Sequence, residues 1–263
     1  MRSYLALTRG NFLVWMAYRF GFFFTIIGNI VYLGVAYYLW RSIYKHSDVI
    51  RGLTFNETFI YIALGSAIFI LLKTYADWII GNEIREGIIA VYLTKPLDFQ
   101  LYALFSSLGG ILMNLAAISI PTILILTLVF KIQVTMGLGL VLFPLSLILA
   151  FLISFCFDYF VGLSAFYTES IWGISITKET ILTIFSGALL PLQFFPDAIQ
   201  KVLLALPFQA IYHTPLMMAT RPDQGWETFW PMLAVQAFWV IALFLLTRLF
   251  YNQAIKVLRI SGG

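Results

Sequence analysis

Few residues in this sequence have the types and spacing that covalent chemistry requires. The only histidines, His46 and His213, are far apart and fall on segments expected to be outer loops, and the single cysteine, Cys156, lies in an apolar stretch. A histidine-based metal site needs more ligands than these. The sequence also lacks a G-x-x-x-x-G-K-[ST] phosphate loop, an H-E-x-x-H zinc motif and a G-x-S-x-G nucleophile elbow. We therefore predict no catalytic, metal-binding or cofactor-binding residues, and no ATP hydrolysis by this chain.

Asp158 is the ionisable residue that most needs an explanation. It lies in an otherwise uncharged, strongly apolar run, residues 155–160. An acid at membrane depth costs about 2.5–3.5 kcal/mol on insertion scales, so such residues usually face a bundle interior or a cavity. Two interpretations remain open. Asp158 lines a pathway and meets a cationic or polar substrate, or it is protonated or hydrogen-bonded and holds two helices together.

Two further groups of charges follow one another in the sequence. Lys73 and Asp77 are four residues apart, which predicts a salt bridge on one face of a helix. The densest group of charges comes next, in the segment 81–87, and consists of Glu83, Arg85 and Glu86. An apolar run and Pro96 follow, which is typical of a short amphipathic helix that ends near the proline. A solvated loop is the alternative interpretation.

Composition determines the elements that must position these residues. Hydrophobic residues make up 61% of the chain and charged residues only 11%, with a mean hydropathy of +0.93. A soluble domain carries about 25% charged residues, so this chain cannot cover a water-facing surface. Continuous apolar runs of about 20 residues predict membrane-spanning helices, not barrel strands. Six such runs are present, at 20–40, 59–80, 101–130, 138–165, 174–194 and 230–251. We predict an all-α integral membrane protein with six transmembrane helices in a single domain, 1–263.

Positive charges indicate how the helices are oriented. Six spans place both termini on one side, and lysine and arginine accumulate on the cytoplasmic side of membrane proteins. With cytoplasmic termini, the cytoplasmic set is Arg2, Arg9, Arg19, Lys73, Arg85, Lys95, Lys178, Arg248, Lys256 and Arg259. The outer set is Arg41, Lys45, Arg51, Lys131, Lys201 and Arg221. The larger first set predicts cytoplasmic termini. The basic residues are dispersed, so we expect no nucleic-acid binding.

Two segments outside the spans are expected to be helical. Residues 1–19 predict a cytoplasmic interfacial leader helix, with Phe12 and Trp15 able to enter the headgroup region; an irregular leader is the alternative. The outer loop 190–229 is expected to contain short helices. Within it, Pro196 and Pro207 delimit a run with apolar residues at helical spacing, which predicts a short re-entrant helix at the outer face, between spans five and six.

The ordered set of these segments resembles a known family. The segments are 83–87 (EIREG) with 93–97 (LTKPL), then 166–173 (FYTESIWG), then 186–192 (SGALLPL) with Pro196 and 206–208 (LPF). They are similar to the intracellular E-x-x-x-G … L-x-[RK]-P stretch, the link between spans four and five, and the G-x-x-x-P … P … L-P-F stretch of the bacterial type-2 (ABC-2) exporter permeases. Each motif alone is weak, but their order relative to the spans covers nearly the whole chain.

The resemblance implies a transport subunit in a bacterial inner membrane, surrounded by lipid. Two permease chains, identical or homologous, would form a dimer with the substrate path between them. A separate cytoplasmic ABC ATPase pair would bind ATP and Mg²⁺. Residues 81–100 would form the cytoplasmic coupling segment, and the coupling residues would be Glu83, Arg85, Glu86 and Gly87. The outer gate would be formed by Pro191, Pro196, Pro207 and Phe208.

Other classes of protein remain as alternatives. A secondary transporter or channel with Asp158 in its pathway is the first, although such proteins are expected to show repeats or interrupted helices with charges at corresponding positions. A membrane enzyme would need a catalytic cluster that the sequence lacks. The third alternative is a membrane scaffold without transport activity, and only the family resemblance argues against it.

Overall fold

The structure is a computed structural model, and it describes residues 2–17, 19–129 and 136–257. That part of the chain is almost entirely helical. The α-helices are α1 (Arg2–Met16), α2 (Arg19–Ile43), α3 (Phe55–Leu72), α4 (Ala76–Arg85), α5 (Ile89–Leu93), α6 (Phe99–Asn114), α7 (Ile120–Val129), α8 (Leu138–Leu163), α9 (Trp172–Phe185), α10 (Asp197–Ala205), α11 (Gln209–Thr220) and α12 (Trp226–Ala254). A π-helical segment, Leu115–Ser119, joins α6 to α7.

Short elements complete the described part of the chain. The 3₁₀ turns are Tyr44–His46, Ser164–Phe166, Leu192–Phe194 and Ile255–Val257. Strands β1 (Val49–Ile50) and β2 (Leu53–Thr54) form an antiparallel pair in which Val49 lies opposite Thr54. This hairpin connects the first two spans. The chain is an all-α membrane protein, as the composition predicts.

Five helical stretches within the described residues are long and apolar enough to cross a bilayer. They are Phe20–His46, Phe55–Arg85, Phe99–Ile125, Leu138–Phe166 and Trp226–Val257. These coincide with the first four and the last of the predicted spans. Helices α10 and α11 pass the same test only as a pair, and they are bent by 103° relative to each other. Taken as one broken span, the pair gives six spans; taken as a re-entrant loop, it corresponds to the re-entrant helix that the sequence predicts in this segment.

The fifth predicted span, 174–194, is not one helix. Helix α9 ends at Phe185, and the chain then turns through Gly187, whose φ is +85°. A Cβ at Gly187 would lie 2.9 Å from the Tyr61 hydroxyl, so the turn also requires a residue without a side chain. Helix α11 lies in the segment 190–229, for which the sequence predicts short helices in an outer loop. Ten of its twelve residues are buried, including His213.

Local signals explain where the spans begin. Helix α3 starts with a capping box: the Thr54 hydroxyl accepts a hydrogen bond from Glu57 N, and the Glu57 carboxylate accepts one from Thr54 N. Helix α6 is capped by Asp98, whose carboxylate accepts a hydrogen bond from Leu101 N at 3.0 Å. These side chains satisfy backbone donors that a helix N-terminus leaves free.

The core is built around α8, which packs against α4, α11 and α12. Tyr159 and Phe155 are its largest fully buried side chains. Gln236 of α12 joins three of these helices, because its amide donates to Ala210 O at 2.7 Å and accepts from the Ser146 hydroxyl at 3.0 Å. Helices α2 and α12 keep long exposed apolar faces, as expected where lipid is the solvent.

The leader forms α1, which runs along the first half of α6. The Thr8 hydroxyl donates to Phe105 O at 2.7 Å, and Asn11 donates to Ser106 O at 3.3 Å. A Cβ at Gly109 would lie 2.7 Å from Thr8 O, so the close approach of the two helices depends on that glycine. Parts of the sequence predictions lie outside the described residues: Phe130 at the end of the third span, and Lys131 and Arg259 in the charge sets.

Candidate functional site

The second span is interrupted in its middle, between α3 and α4. Lys73 is extended, and Tyr75 has a φ of +53°, an uncommon conformation for a residue other than glycine. The carbonyl groups released by the break are satisfied from another helix, since the Asn114 amide donates to Ile70 O at 3.1 Å and to Lys73 O at 3.0 Å. Asn114 is the last residue of α6, directly before the π-helical segment. The break is therefore a supported feature of the fold.

The predicted salt bridge between Lys73 and Asp77 is wrong, because the break removes the helical spacing on which it depended. Lys73 instead donates to the Glu179 carboxylate at 2.7 Å, and Asp77 bonds Lys178 at 2.8 Å. Both partners lie on α9. The two charges that were expected to neutralise each other thus connect the second span to a different helix.

Asp158, Asp77 and Lys178 form a buried charge cluster. The Lys178 ammonium lies 2.5 Å from Asp158 Oδ1 and 2.8 Å from Asp77 Oδ2, and all three side chains are less than 10% exposed. The Thr74 hydroxyl donates to Asp158 Oδ2 at 2.7 Å. With both carboxylates ionised, two carboxylates and one ammonium give the cluster a formal charge of −1. The cluster connects α4, α8 and α9, so Asp158 has the helix-joining contacts of the second interpretation.

Asp158 also lines a cavity, as the first interpretation requires. The cavity has a volume of about 320 Å³ and lies where the break between α3 and α4 meets α8, α9 and α11. Its polar walls contain the charge cluster together with Lys73 and Glu179. Its aromatic walls include Phe69, Tyr75, Trp78 and Tyr212. Volumes of about 300–1,000 Å³ are usual for small-molecule sites.

The four proposed coupling residues do not share one environment. Glu83 is partly buried, and its Oε1 accepts from the hydroxyls of Tyr102 at 3.1 Å and Tyr92 at 3.3 Å. Burial raises the pKa of Tyr92 above its usual value, and the neighbouring Glu83 carboxylate acts in the same direction. Glu83 thus holds α4, α5 and α6 together from within the protein.

Arg85, Glu86 and Gly87, in contrast, form an exposed turn at the end of α4. Arg85 donates to Glu169 O at 3.2 Å and to Asn82 Oδ1 at 2.5 Å, which ties this turn to the link between α8 and α9. Gly87 has a φ of +72°, the conformation that glycine adopts at the C-terminus of a helix. Of the four proposed coupling residues, the three in this turn are therefore exposed, and Glu83 is not.

The predicted outer-gate residues lie along the path into α11. Pro191 precedes the 3₁₀ turn, and Pro196 precedes α10 directly. Pro207 is buried between α10 and α11, where the chain bends by 103°. Phe208 contacts Phe157 of α8, with ring centroids 5.6 Å apart. These residues stand at successive turns of one segment of the chain.

The arrangement is a cavity lined by charged and aromatic side chains beside a break in a helix. Within the described ranges, no group of three or more histidine, cysteine or acidic residues could hold a metal ion. Sequence reasoning singled out Asp158 but missed its partner Lys178, which it counted only as a cytoplasmic positive charge. It also missed Glu179 and Asn114, although a charged pair in a predicted span and an asparagine in another were available signals.

Comparison with known proteins agrees with this arrangement. A family model described as ABC-2 family transporter protein matches residues 30–262, from within α2 past the end of α12. No curated protein matches the sequence. Because the match covers nearly all of the chain, including every residue of the charge cluster and of the coupling segment, the protein belongs to the ABC-2 transporter family.

Proposed function

We propose that this chain is the membrane subunit of an ATP-driven exporter in a bacterial inner membrane. Two permease chains, identical or homologous, form the substrate path as a dimer, and a separate cytoplasmic ATPase pair binds ATP and Mg²⁺. The absence of a phosphate loop from the sequence supports a division in which ATP hydrolysis belongs to the partner. Both termini face the cytoplasm, as the distribution of positive charges favours.

The observation that carries this proposal is the position of α4. It is a short helix between two interruptions of the helical backbone, the break at Tyr75 and the exposed turn at Gly87. It packs closely on α8, where a Cβ at Gly162 would lie 2.8 Å from Ile80 Cβ. A displacement of the exposed turn would therefore move α4 and α8 together.

A transporter needs an element whose position a ligand biases, because a ligand shifts an equilibrium only by its differential affinity for the two states. ATP closing the partner dimer supplies that bias at the exposed turn. Helix α4 passes the movement to Asp77, and the charge cluster passes it to α8 and α9. The cavity beside Asp158 is part of the substrate path, and the bent pair α10 and α11 covers the outer end of that path.

The test is co-purification of the tagged chain from mild detergent, with ATP hydrolysis measured on the proteins that accompany it. We expect a stoichiometric ATPase with the unchanged chain. The variant R85E/E86K should lose the ATPase, because both charges are exposed on the turn. The matched control is R51E/D197K, which reverses an exposed arginine–acid pair remote in sequence, 3.3 Å apart, and should keep the ATPase.

Two results would contradict the proposal. The first is an unchanged chain that carries no ATPase under conditions that preserve complexes, which would favour a secondary transporter with Asp158 in its pathway. The second is normal ATPase binding and normal transport by R85E/E86K. Size-exclusion chromatography of each variant separates loss of the partner from loss of the fold.

A further inference from the structure

The cavity beside the charge cluster carries more acids than bases. Five charged side chains face it: Lys73 at the break, Asp77 of α4, Asp158 of α8, and Lys178 and Glu179 of α9. With all of them ionised, three carboxylates and two ammonium groups leave a formal charge of −1. A charge of this kind is costly in a low-dielectric environment, and a bound cation would offset it.

An ammonium group already occupies part of this cavity. The Lys73 ammonium lies 5.3 Å from the ring centroids of both Phe69 and Tyr75, and 2.7 Å from the Glu179 carboxylate. We call Phe69, Tyr75 and Glu179 the ammonium clamp. Two aromatic faces and one carboxylate are the groups that recognise organic ammonium ions. The Lys73 side chain thus stands where the head of such a ligand would fit.

The Lys73 side chain has space into which it can move. Lys73, Phe69 and Tyr75 also line a second cavity of about 360 Å³, which extends toward α2 and Asn114. The Lys73 and Glu179 side chains are about one-third exposed, so their ion pair is less costly to open than the buried charge cluster. A ligand that enters the first cavity can therefore replace the Lys73 ammonium without leaving it buried and unpaired.

We propose that this cavity binds a small organic ammonium ion, whose charged head replaces the Lys73 ammonium in the ammonium clamp. The apolar body of the ligand contacts Trp78 and Tyr212, which line the same cavity. An anion is disfavoured by the excess of carboxylates, and an inorganic cation would gain less from the aromatic walls. This inference rests on the proposed function and deepens it by giving the path a class of substrate.

The experiment measures binding of benzyltrimethylammonium to the purified full-length chain in detergent, by isothermal titration calorimetry and without an ATPase. Neopentylbenzene, which replaces the charged nitrogen by carbon, is the neutral control. We expect binding of the ammonium compound to exceed binding of the control. The variant K73M should lower the Kd about tenfold, since it removes the ammonium that competes for the ammonium clamp, and E179Q should raise the Kd about tenfold or more.

Matched substitutions at exposed positions, K201M and E227Q, should leave the Kd unchanged. Equal binding of the neutral compound would overturn the proposal, as would a Kd that neither K73M nor E179Q changes in folded protein. Weaker binding by K73M would also overturn it, because Lys73 would then be a ligand contact and not its substitute. Because no ATPase is present, this outcome is independent of the co-purification result that tests the proposed function.

Discussion

The ammonium of Lys178 and the carboxylate of Asp158 lie 2.5 Å apart, although the two residues are 20 positions apart in the chain. This contact positions a helix that has few other contacts with the protein. Apart from the Lys178 side chain, the buried residues of α9 are Ser175 and Leu182, and α9 packs mainly on α8. The ion pairs of Lys178 and Glu179 are therefore the main polar attachment of α9 to the rest of the protein.

Replacing Lys178 by methionine should destabilise the protein strongly. The variant leaves Asp77 and Asp158 buried and close to each other without their shared cation, and breaking a buried pair in this way costs about 3–5 kcal/mol. Thermal unfolding of the purified chain in one detergent measures the effect. The double variant K178M/D158N should recover part of the loss, because it removes one of the unpaired charges. An unfolding temperature for K178M equal to that of the unchanged chain would contradict this role.

Gly162 should tolerate no side chain. A Cβ there would lie 2.8 Å from Ile80 Cβ and 2.9 Å from Ile80 Cγ2, so G162A must separate α4 from α8. Overpacking of this kind costs about 1–3 kcal/mol. The matched control is G173A, because a Cβ at Gly173 of α9 meets nothing within 4 Å and alanine favours a helix. The unfolding temperature of G162A should be lower than that of the unchanged chain, and that of G173A should be equal or higher. The reverse order would show that α4 and α8 do not meet at Gly162.

The spans that are simple apolar runs could be predicted from the sequence, because hydropathy and length alone define them. The break at Tyr75 could not, since nothing in the residues Lys73 to Tyr75 requires a positive φ. The conformation depends on tertiary contacts, above all on Asn114, which accommodates the released carbonyl groups. Once the break was missed, the pairing of Lys73 with Asp77 followed as an error.

One part of the site could be predicted from the sequence, because an ionisable side chain within a membrane span needs a polar or charged contact. Asp158 stands out on this ground, and the same reasoning applies to Lys178, which lies within the predicted fifth span. The sequence does not choose among several possible partners, because the choice depends on how α4, α8 and α9 pack. The exposed turn at Glu86 and the buried acid at Glu83 likewise share one motif in the sequence, and only the structure separates them.

Glu83 should affect stability more than coupling. The variant E83A removes the carboxylate that accepts from the Tyr92 and Tyr102 hydroxyls, which then keep only their bond to each other at 2.6 Å. Hydrogen bonds to a charged group contribute about 1.5–3 kcal/mol. We expect E83A to lower the unfolding temperature, while R85E/E86K should unfold near the temperature of the unchanged chain. Measuring both variants by thermal unfolding and by ATPase co-purification separates the two roles. A stable E83A that has lost its ATPase would place Glu83 at the partner surface instead.

Cysteine labelling should show that the coupling segment and α10 lie on opposite sides of the membrane. The chain offers a low background, since its single cysteine, Cys156, is 1% exposed. Glu86 and Lys201 are both exposed, so E86C and K201C should be accessible from water. In spheroplasts of an expressing bacterial host, a membrane-impermeant maleimide should modify K201C. It should modify E86C only in inverted membrane vesicles prepared from the same cells.

The unchanged chain provides the control for reaction at Cys156. Modification of E86C in spheroplasts would contradict the proposed orientation, because the exposed turn would then face the outside and could not reach a cytoplasmic ATPase. Modification of K201C only in inverted vesicles would contradict it as well, because α10 would then lie on the cytoplasmic side.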